Sequence, residues 1–532
     1  MKKTFRQSMS WLHTWAGLAV GWILYFIFVT GTAGYFDSEI DRWMQPEIPN
    51  SINVAEQSQM LKLAEQRLYQ VAPQAQWWHI EFPVDRNRPY LEIDWEGEQG
   101  EGLEILHPQT GQPIAVRGTG GGQLLYRMHY RLHYMSTSLA YWLVSLCAMF
   151  MLVALIGGII IHKRIFKDFF TFRAGKRQRS WLDMHNVFSV LALPFHLMIT
   201  YSGLLFLSFS FMPLIIAGSY GGGEDDSQIF FDEMFNRYPS LSAASVPAKM
   251  MPLSEFLSDA DSRWEQGQVA YLNVDNPGDA NARVEVNERQ PFGLTDGREL
   301  TYDGISGEWL HGAGEDQSGP SLFRDVMLNL HEGLFAGATL RWLYFLSGVL
   351  GTGMIATGLI LWTSKRRARA QKAKKPHKGL ALVERLNIGT IIGLPVGIGV
   401  YFWANRLLAT DLSGRADKEV LALFASWGLC FIYPILRPIN RAWIELLWFA
   451  AALYALLPFL NVATSHRHLG VTLLQQDWVL AGFDLTMLVF GLLLGLIAVR
   501  MQRKWEVSLP ANAIAHPINK NTQIIKPEGM AS

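Results

Sequence analysis

Five histidines, His13, His133, His185, His196 and His331, lie at or inside the first four apolar runs of this 532-residue chain. An ionisable side chain within a membrane span is expensive and marks function, and neutral imidazole is the usual axial ligand of b-type haem. The stretch WLDMHNVFSVLALPFHLMITYSG, residues 181–203, holds two of these rings eleven residues apart. That is close to three helical turns, so on an unbroken helix both rings share a face, roughly 16 Å apart by rise.

Haem iron takes its two axial nitrogens from different helices. His13 follows Arg6 by seven residues and His185 follows Arg179 by six, which places both about 10 Å inside the same membrane boundary and predicts that they clamp one iron. Near the opposite boundary His133 precedes the second span and His331 precedes the fourth, again at matched depth. His129, four residues before His133 and on its face, is a competing ligand or a neighbour of a propionate. His196 lies between the two levels, roughly 20 Å below His133. The second site is therefore a choice among His133, His196 and His331, and Pro194 predicts a bend in the third span beside His196. Gly17, Gly21, Gly157, Gly158, Gly348, Gly351 and Gly353 leave room for a group between helices or for close helix packing. Haem b, two per chain, is the cofactor this arrangement predicts.

The elements that must position these rings are membrane helices. The chain is 50% hydrophobic with no net charge, and long apolar runs occupy residues 14–36, 139–161, 187–211, 342–362, 386–404, 419–436, 442–460 and 478–499. Runs of this length read as membrane spans, and the first, too long for a signal peptide's apolar core, as an uncleaved helix. The fold class is a polytopic α-helical membrane protein with about eight transmembrane helices and two small α+β domains outside the membrane. Only Cys147 and Cys430 occur, both inside spans, which excludes a disulfide framework, a thiolate metal cluster and covalently attached haem.

Basic segments at the N-terminus, 162–179 and 365–378 alternate with two long acidic loops. The distribution predicts a cytoplasmic N-terminus with residues 37–136 and 212–336 outside, which in a bacterial inner membrane is the periplasm. Topology and attraction to anionic lipid account for the basic runs, with no nucleic-acid role. The expected divisions are 1–36 (first span), 37–136 (first outside domain), 137–211 (spans two and three), 212–336 (second outside domain), 337–364 (span four), 365–384 (basic loop), 385–500 (a further four-helix unit) and 501–532 (cytoplasmic tail).

Each outside domain reads as a helix followed by alternating strands, and the endings LEILHPQTGQPI (103–114) and LTYDGISGEWL (300–310) share a strand, a polar turn with glycine, and a resumed strand. These endings resemble the terminal strand of PepSY domains, with Asp303 at the usual acidic position and His107 replacing it in the first copy. LHTWAGLAVG (12–21), RLHYMSTSLAYW (131–142), WLDMHNVFSVLALP (181–194) and NLHEGLFAGATLRW (329–342) are similar to recurring segments of the PepSY-associated transmembrane (PiuB-like) family. The resemblance covers about residues 8–365 and implies a periplasmic ferric-siderophore reductase linked to iron uptake.

Two haems across a bilayer form a wire from an inside reductant to an outside acceptor, a ferric siderophore or another oxidised molecule. No nucleotide fingerprint follows a strand, so the donor is a separate cytoplasmic flavoprotein or membrane quinol. Trp77, Trp78 and Trp95 either stack on a flat substrate or fill a small core; the core is favoured. Two other classes fit less of the pattern. One is a non-enzymatic module whose PepSY-like domains bind or inhibit a periplasmic partner, and the other a proton-coupled transporter using His196, which calls for more ionisable groups at mid-membrane.

Overall fold

The structure is a computed structural model, and it describes residues 4–506 except 50–54, 84–87, 98–99, 163–177, 212, 222, 224–228, 231–237, 240, 265–268, 290–293, 295–296, 315–318 and 374–377. Helix α1 (Phe5–Gly34) starts on a capping box, with Thr4 Oγ1 accepting from the Gln7 N–H and Gln7 Oε1 from the Thr4 N–H. This satisfies two of the amides that a helix start leaves bare. The short α2 (Asp37–Met44) follows, burying Ile40, Trp43 and Met44. The first outside segment then forms α3 (Gln57–Val71), β1 (Ala75–Glu81), β2 (Leu91–Gly97), β3 (Gly100–Leu106) and α4 (Gly121–Arg131).

The second span is α5 (Thr137–Ile161). The third is broken into α6 (Gln178–Leu191) and α7 (Leu193–Phe206), which meet at 68°. Pro194, in the first turn of α7, has no N–H for the Val190 carbonyl and its ring excludes that carbonyl sterically; the chain leaves helical geometry at Ala192, with φ −112° and ψ 24°. The bend corrects one expectation: His185 and His196 do not share a face, because no continuous helix joins them.

Short helices α8 (Ser208–Phe211) and α9 (Pro213–Tyr220) lead outward to α10 (Leu253–Arg263), β4 (Val269–Asp275), β5 (Arg283–Glu288), β6 (Glu299–Asp303), β7 (Trp309–Ala313) and α11 (Gly319–Glu332). The fourth span, α12 (Ala338–Ala373), is followed by α13 (Lys378–Ile391) with α14 (Gly393–Leu407), then α15 (Arg415–Leu436), α16 (Ile439–Thr464), the short α17 (Leu469–Leu474) and α18 (Trp478–Glu506). Among the described residues seven helical stretches are long and apolar enough to cross a membrane, and the bent pair α6–α7 makes an eighth. Each of the eight apolar runs thus has its helix.

The two outside segments join edge to edge in one antiparallel seven-stranded sheet, ordered β3-β2-β1-β4-β5-β6-β7. At the join β1 pairs with β4, Trp78 opposite Val274 and Ile80 opposite Leu272. Helices α3 and α10 cover the same core, where Leu61, Leu68, Phe256 and Leu257 pack on Trp78, Ile80, Leu272 and Val284. Trp78 is wholly buried and its Nε1 donates to the Ala72 carbonyl at 2.9 Å, so this indole is core. Asp303 caps the turn into β7 by accepting from the Ile305 and Ser306 amides, while in the first copy His107 Nδ1 accepts from the Gln109 amide. A ring nitrogen there does part of the work of the carboxylate.

The last four spans dock on the rest through buried polar contacts. Trp43 of α2 stacks on Phe483, donates Nε1 to Asp484 at 2.9 Å and lies 3.7 Å beneath the Arg406 guanidinium. Arg406 Nε donates to Asn461 Oδ1 at 2.9 Å, and Asn461 Nδ2 donates to Asp484 Oδ2 at 3.1 Å. Fully buried Glu419 pairs with Arg415 and accepts from Asn405 Nδ2 and Thr119 Oγ1.

Candidate functional site: two facing pairs of histidines

Away from the sheet, α1 and α6 bring His13 and His185 together, with ring centroids 6.2 Å apart and ring planes at 76°. His13 Nδ1 lies 2.8 Å from the Ala154 carbonyl of α5, and His185 Nδ1 lies 2.8 Å from the Met354 carbonyl of α12. A carbonyl only accepts, so each Nδ1 carries the hydrogen and each Nε2 is bare. Two further helices therefore fix the tautomer and orientation of this pair.

On the sheet side, α4 and α11 bring together His129 and His331, with centroids 6.0 Å apart and planes at 45°. His129 Nδ1 donates to the Ile27 carbonyl at 2.8 Å. His331 Nδ1 lies 2.9 Å from Ser202 Oγ, whose own hydrogen goes to the Met198 carbonyl, so the hydroxyl accepts from the ring. Burial, with His129 facing it, pushes His331 down to about 3, and burial likewise lowers His129. Both rings are neutral at ordinary pH. None of the four Nε2 atoms in the two pairs has a hydrogen-bond partner among the described residues.

Each ring rests against a glycine. A Cβ on Gly158 would sit 3.6 Å from His13 Cε1, on Gly358 3.3 Å from His185 Cε1, on Gly203 3.0 Å from His331 Cε1, and on Gly31 in collision with the His129 ring. Of these four, only Gly158 was singled out by its place in an apolar run. Beside the sheet-side pair lies an apolar cavity of about 270 Å³, lined by both rings together with Phe28, Thr200, Tyr126 and Glu332. Tyr126 donates to Glu332 at 3.0 Å on its rim.

His133 takes no part in either pair. Helix α4 ends at Arg131, and Leu132, His133 and Tyr134 all adopt positive φ, a turn that carries the His133 ring onto Phe424, stacked at 5.2 Å. His129 is the ring that enters, because the inner face of α4 is the stripe of Leu124, Leu125 and Met128. That stripe was the available signal, since His129 is one turn after the buried Leu125. His196 is wholly buried on α7 but stands apart from both pairs, against Phe28 and Ser347. Elsewhere His79 bonds Asn273 and His162 bonds Asn186. Among the described residues no group of three or more His, Cys, Asp or Glu side chains is placed to hold a bare metal ion.

The donor set fits haem. Each pair offers two neutral imidazoles from different helices with Nε2 atoms unpartnered among the described residues, the donor type that haem iron takes. Second-sphere acceptors on Nδ1 are what orient metal-binding imidazoles.

In the comparison with known proteins, a Pseudomonas aeruginosa protein named uncharacterized protein PA4219 is 25% identical over 399 residues, covering 70% of this chain and 92% of that protein. The model of the PepSY-associated TM region matches residues 10–365, which runs from within α1 to within α12 and takes in all four paired histidines. The chain belongs to the PepSY-associated transmembrane family.

Proposed function

We propose that the protein is a b-type dihaem transmembrane reductase that passes electrons from a cytoplasmic flavoprotein or quinol to a periplasmic acceptor, a ferric siderophore. The observation that carries this reading is the pair of facing histidines at each end of the helical core, each ring held by its Nδ1–H and offering a bare Nε2. His13 and His185 would hold one haem, His129 and His331 the other. Bound there, haem supplies one-electron redox chemistry at a potential set by ligation, burial and hydrogen bonding.

The chain's own residues supply the rest. The carbonyls of Ala154, Met354 and Ile27 and the Ser202 hydroxyl fix the rings. Leu24, Phe28, Phe206 and Leu207 keep the sheet-side cavity apolar. The basic ends of α1 and α12 support an inner-membrane protein with the N-terminus in the cytoplasm and the sheet in the periplasm. Reduction of Fe(III) to Fe(II) weakens its hold on hard oxygen ligands, and the iron is released for uptake.

The test is the visible absorption of protein purified from haem-replete cells, oxidised and then reduced with dithionite. A sharp Soret band with resolved bands on reduction, and two haems per chain by pyridine haemochrome, are expected. A colourless preparation overturns the reading.

A further inference from the structure

One histidine of the helical core is left over from the pairs. His196 Nε2 lies 3.3 Å from the Ser347 carbonyl, so Nε2 carries the hydrogen and Nδ1 presents a lone pair, the reverse of the four paired rings. That Nδ1 is buried and has no hydrogen-bond partner. A buried acceptor without a donor is destabilising, and its persistence in a core points to use.

The position is as informative as the tautomer. On α12, His196 packs at Ser347 and Gly351, whereas His185 packs at Met354 and Gly358, seven residues or roughly 10 Å nearer the N-terminal face. Toward the sheet, the cavity beside His129 and His331 is lined by Phe28, Thr200 and Gly348, which are neighbours of His196 in space or in sequence. His196 thus stands between the two pairs.

Resting on the two-centre reading above, we propose that His196 Nδ1 takes up one proton when the sheet-side centre gains an electron and releases it when that electron leaves. An added charge in a low-dielectric core is strongly disfavoured without a counter-charge; on the cavity rim the Glu332 carboxyl is already engaged by the Tyr126 hydroxyl, whereas the His196 Nδ1 lone pair is unpartnered among the described residues and open to a proton. One electron arrives from the donor and one proton from the aqueous phase on the sheet side. The acceptor removes the electron, and the proton returns to that phase. Among the described residues, the groups against the ring offer no rival: Phe28 from α1, Ser347 and Gly351 from α12, and Phe195 from its own helix, with Tyr344 one ring further out against Phe195.

The experiment is spectroelectrochemical titration of the full chain in lipid nanodiscs at pH 6, 7 and 8, comparing wild type with His196→Gln. Glutamine keeps a donor for the Ser347 carbonyl and does not titrate. In the wild type one of the two midpoint potentials falls toward about 59 mV per pH unit, the value for a tenfold change in a one-electron step. In His196→Gln both haems remain and the slope disappears. A pH-independent wild type overturns the proposal, as does a slope that survives in the variant. Loss of one haem from His196→Gln also overturns it, making His196 a ligand. Should that variant fail to fold, His196→Asn and the wild-type slope decide. Absence of haem from the wild type is a different failure, visible in the spectrum, and removes the reductase reading together with this one.

Discussion

A ring that donates through Nδ1 to a fixed acceptor, with a bare Nε2 and a second such ring about 6 Å away, is committed in both position and protonation. It follows that the two partners of a pair are interchangeable in their importance. On the dihaem reading proposed above, His129→Ala and His331→Ala should each lower pyridine haemochrome stoichiometry from two to one, while His133→Ala leaves it at two. A loss with His133→Ala and not with His129→Ala would refute the sheet-side pair. The glycine seats are equally exposed to test. Gly31→Ala has to move the His129 ring, and Gly203→Val the His331 ring; each should shift or abolish the bands of one haem and spare the other. At this scale, matched distance from flanking arginines was enough to foresee His13 with His185. It failed for His133 because depth says nothing about where a helix stops, and three successive residues of positive φ turn that ring away.

Among the elements, α6–α7 and the α2–α4 junction show different limits of legibility. Pro194 announced a bend, but the loss of a common face for His185 and His196 depends on the size of that bend, which packing against α12 and α5 sets. The α2–α4 junction was not legible, since it joins residues some eighty positions apart: Asp41 Oδ1 accepts from the Gly122 amide at 2.8 Å. Burial, and then Asp37 nearby, pushes the Asp41 carboxyl up to about 7; burial and then Glu81 do the same for Glu92. Between pH 4 and 7 the folded state holds protons on these groups that the unfolded chain, with carboxyl values of about 4, has released. Their contribution is present at low pH and is lost as pH rises toward 7. The melting temperature in detergent should therefore fall between pH 5 and pH 7.5, and fall less in Asp41→Asn. An unchanged slope in that variant would exclude Asp41 as a source.

For the whole molecule, the helices beyond residue 365 lie outside the family match yet are tied to it by buried charge. Their existence was plain from apolar run length. Their attachment was not, because Arg406, Asn461 and Asp484 look like ordinary flanking polar residues until Trp43 is found among them. Arg406→Ala removes one partner from a buried network, a loss of about 3–5 kcal/mol, to be read as a lower melting temperature with haem content retained. Haem loss in step with unfolding of the last four helices would show instead that this unit supports the cofactor sites directly.

The edge-to-edge sheet has one more consequence, for the order in which the protein can be built. Chains emerge and fold from the N-terminus. By the time Arg263 has been made, α1, α5, α6 and α3 exist, yet β1 lacks its neighbour β4 and His129 lacks His331. Ribosome-bound chains stopped before β4 would carry an unpaired strand edge at β1 and half of the sheet-side site. Its completion, and that of the sheet, must await synthesis of the second loop, which brings β4 and His331.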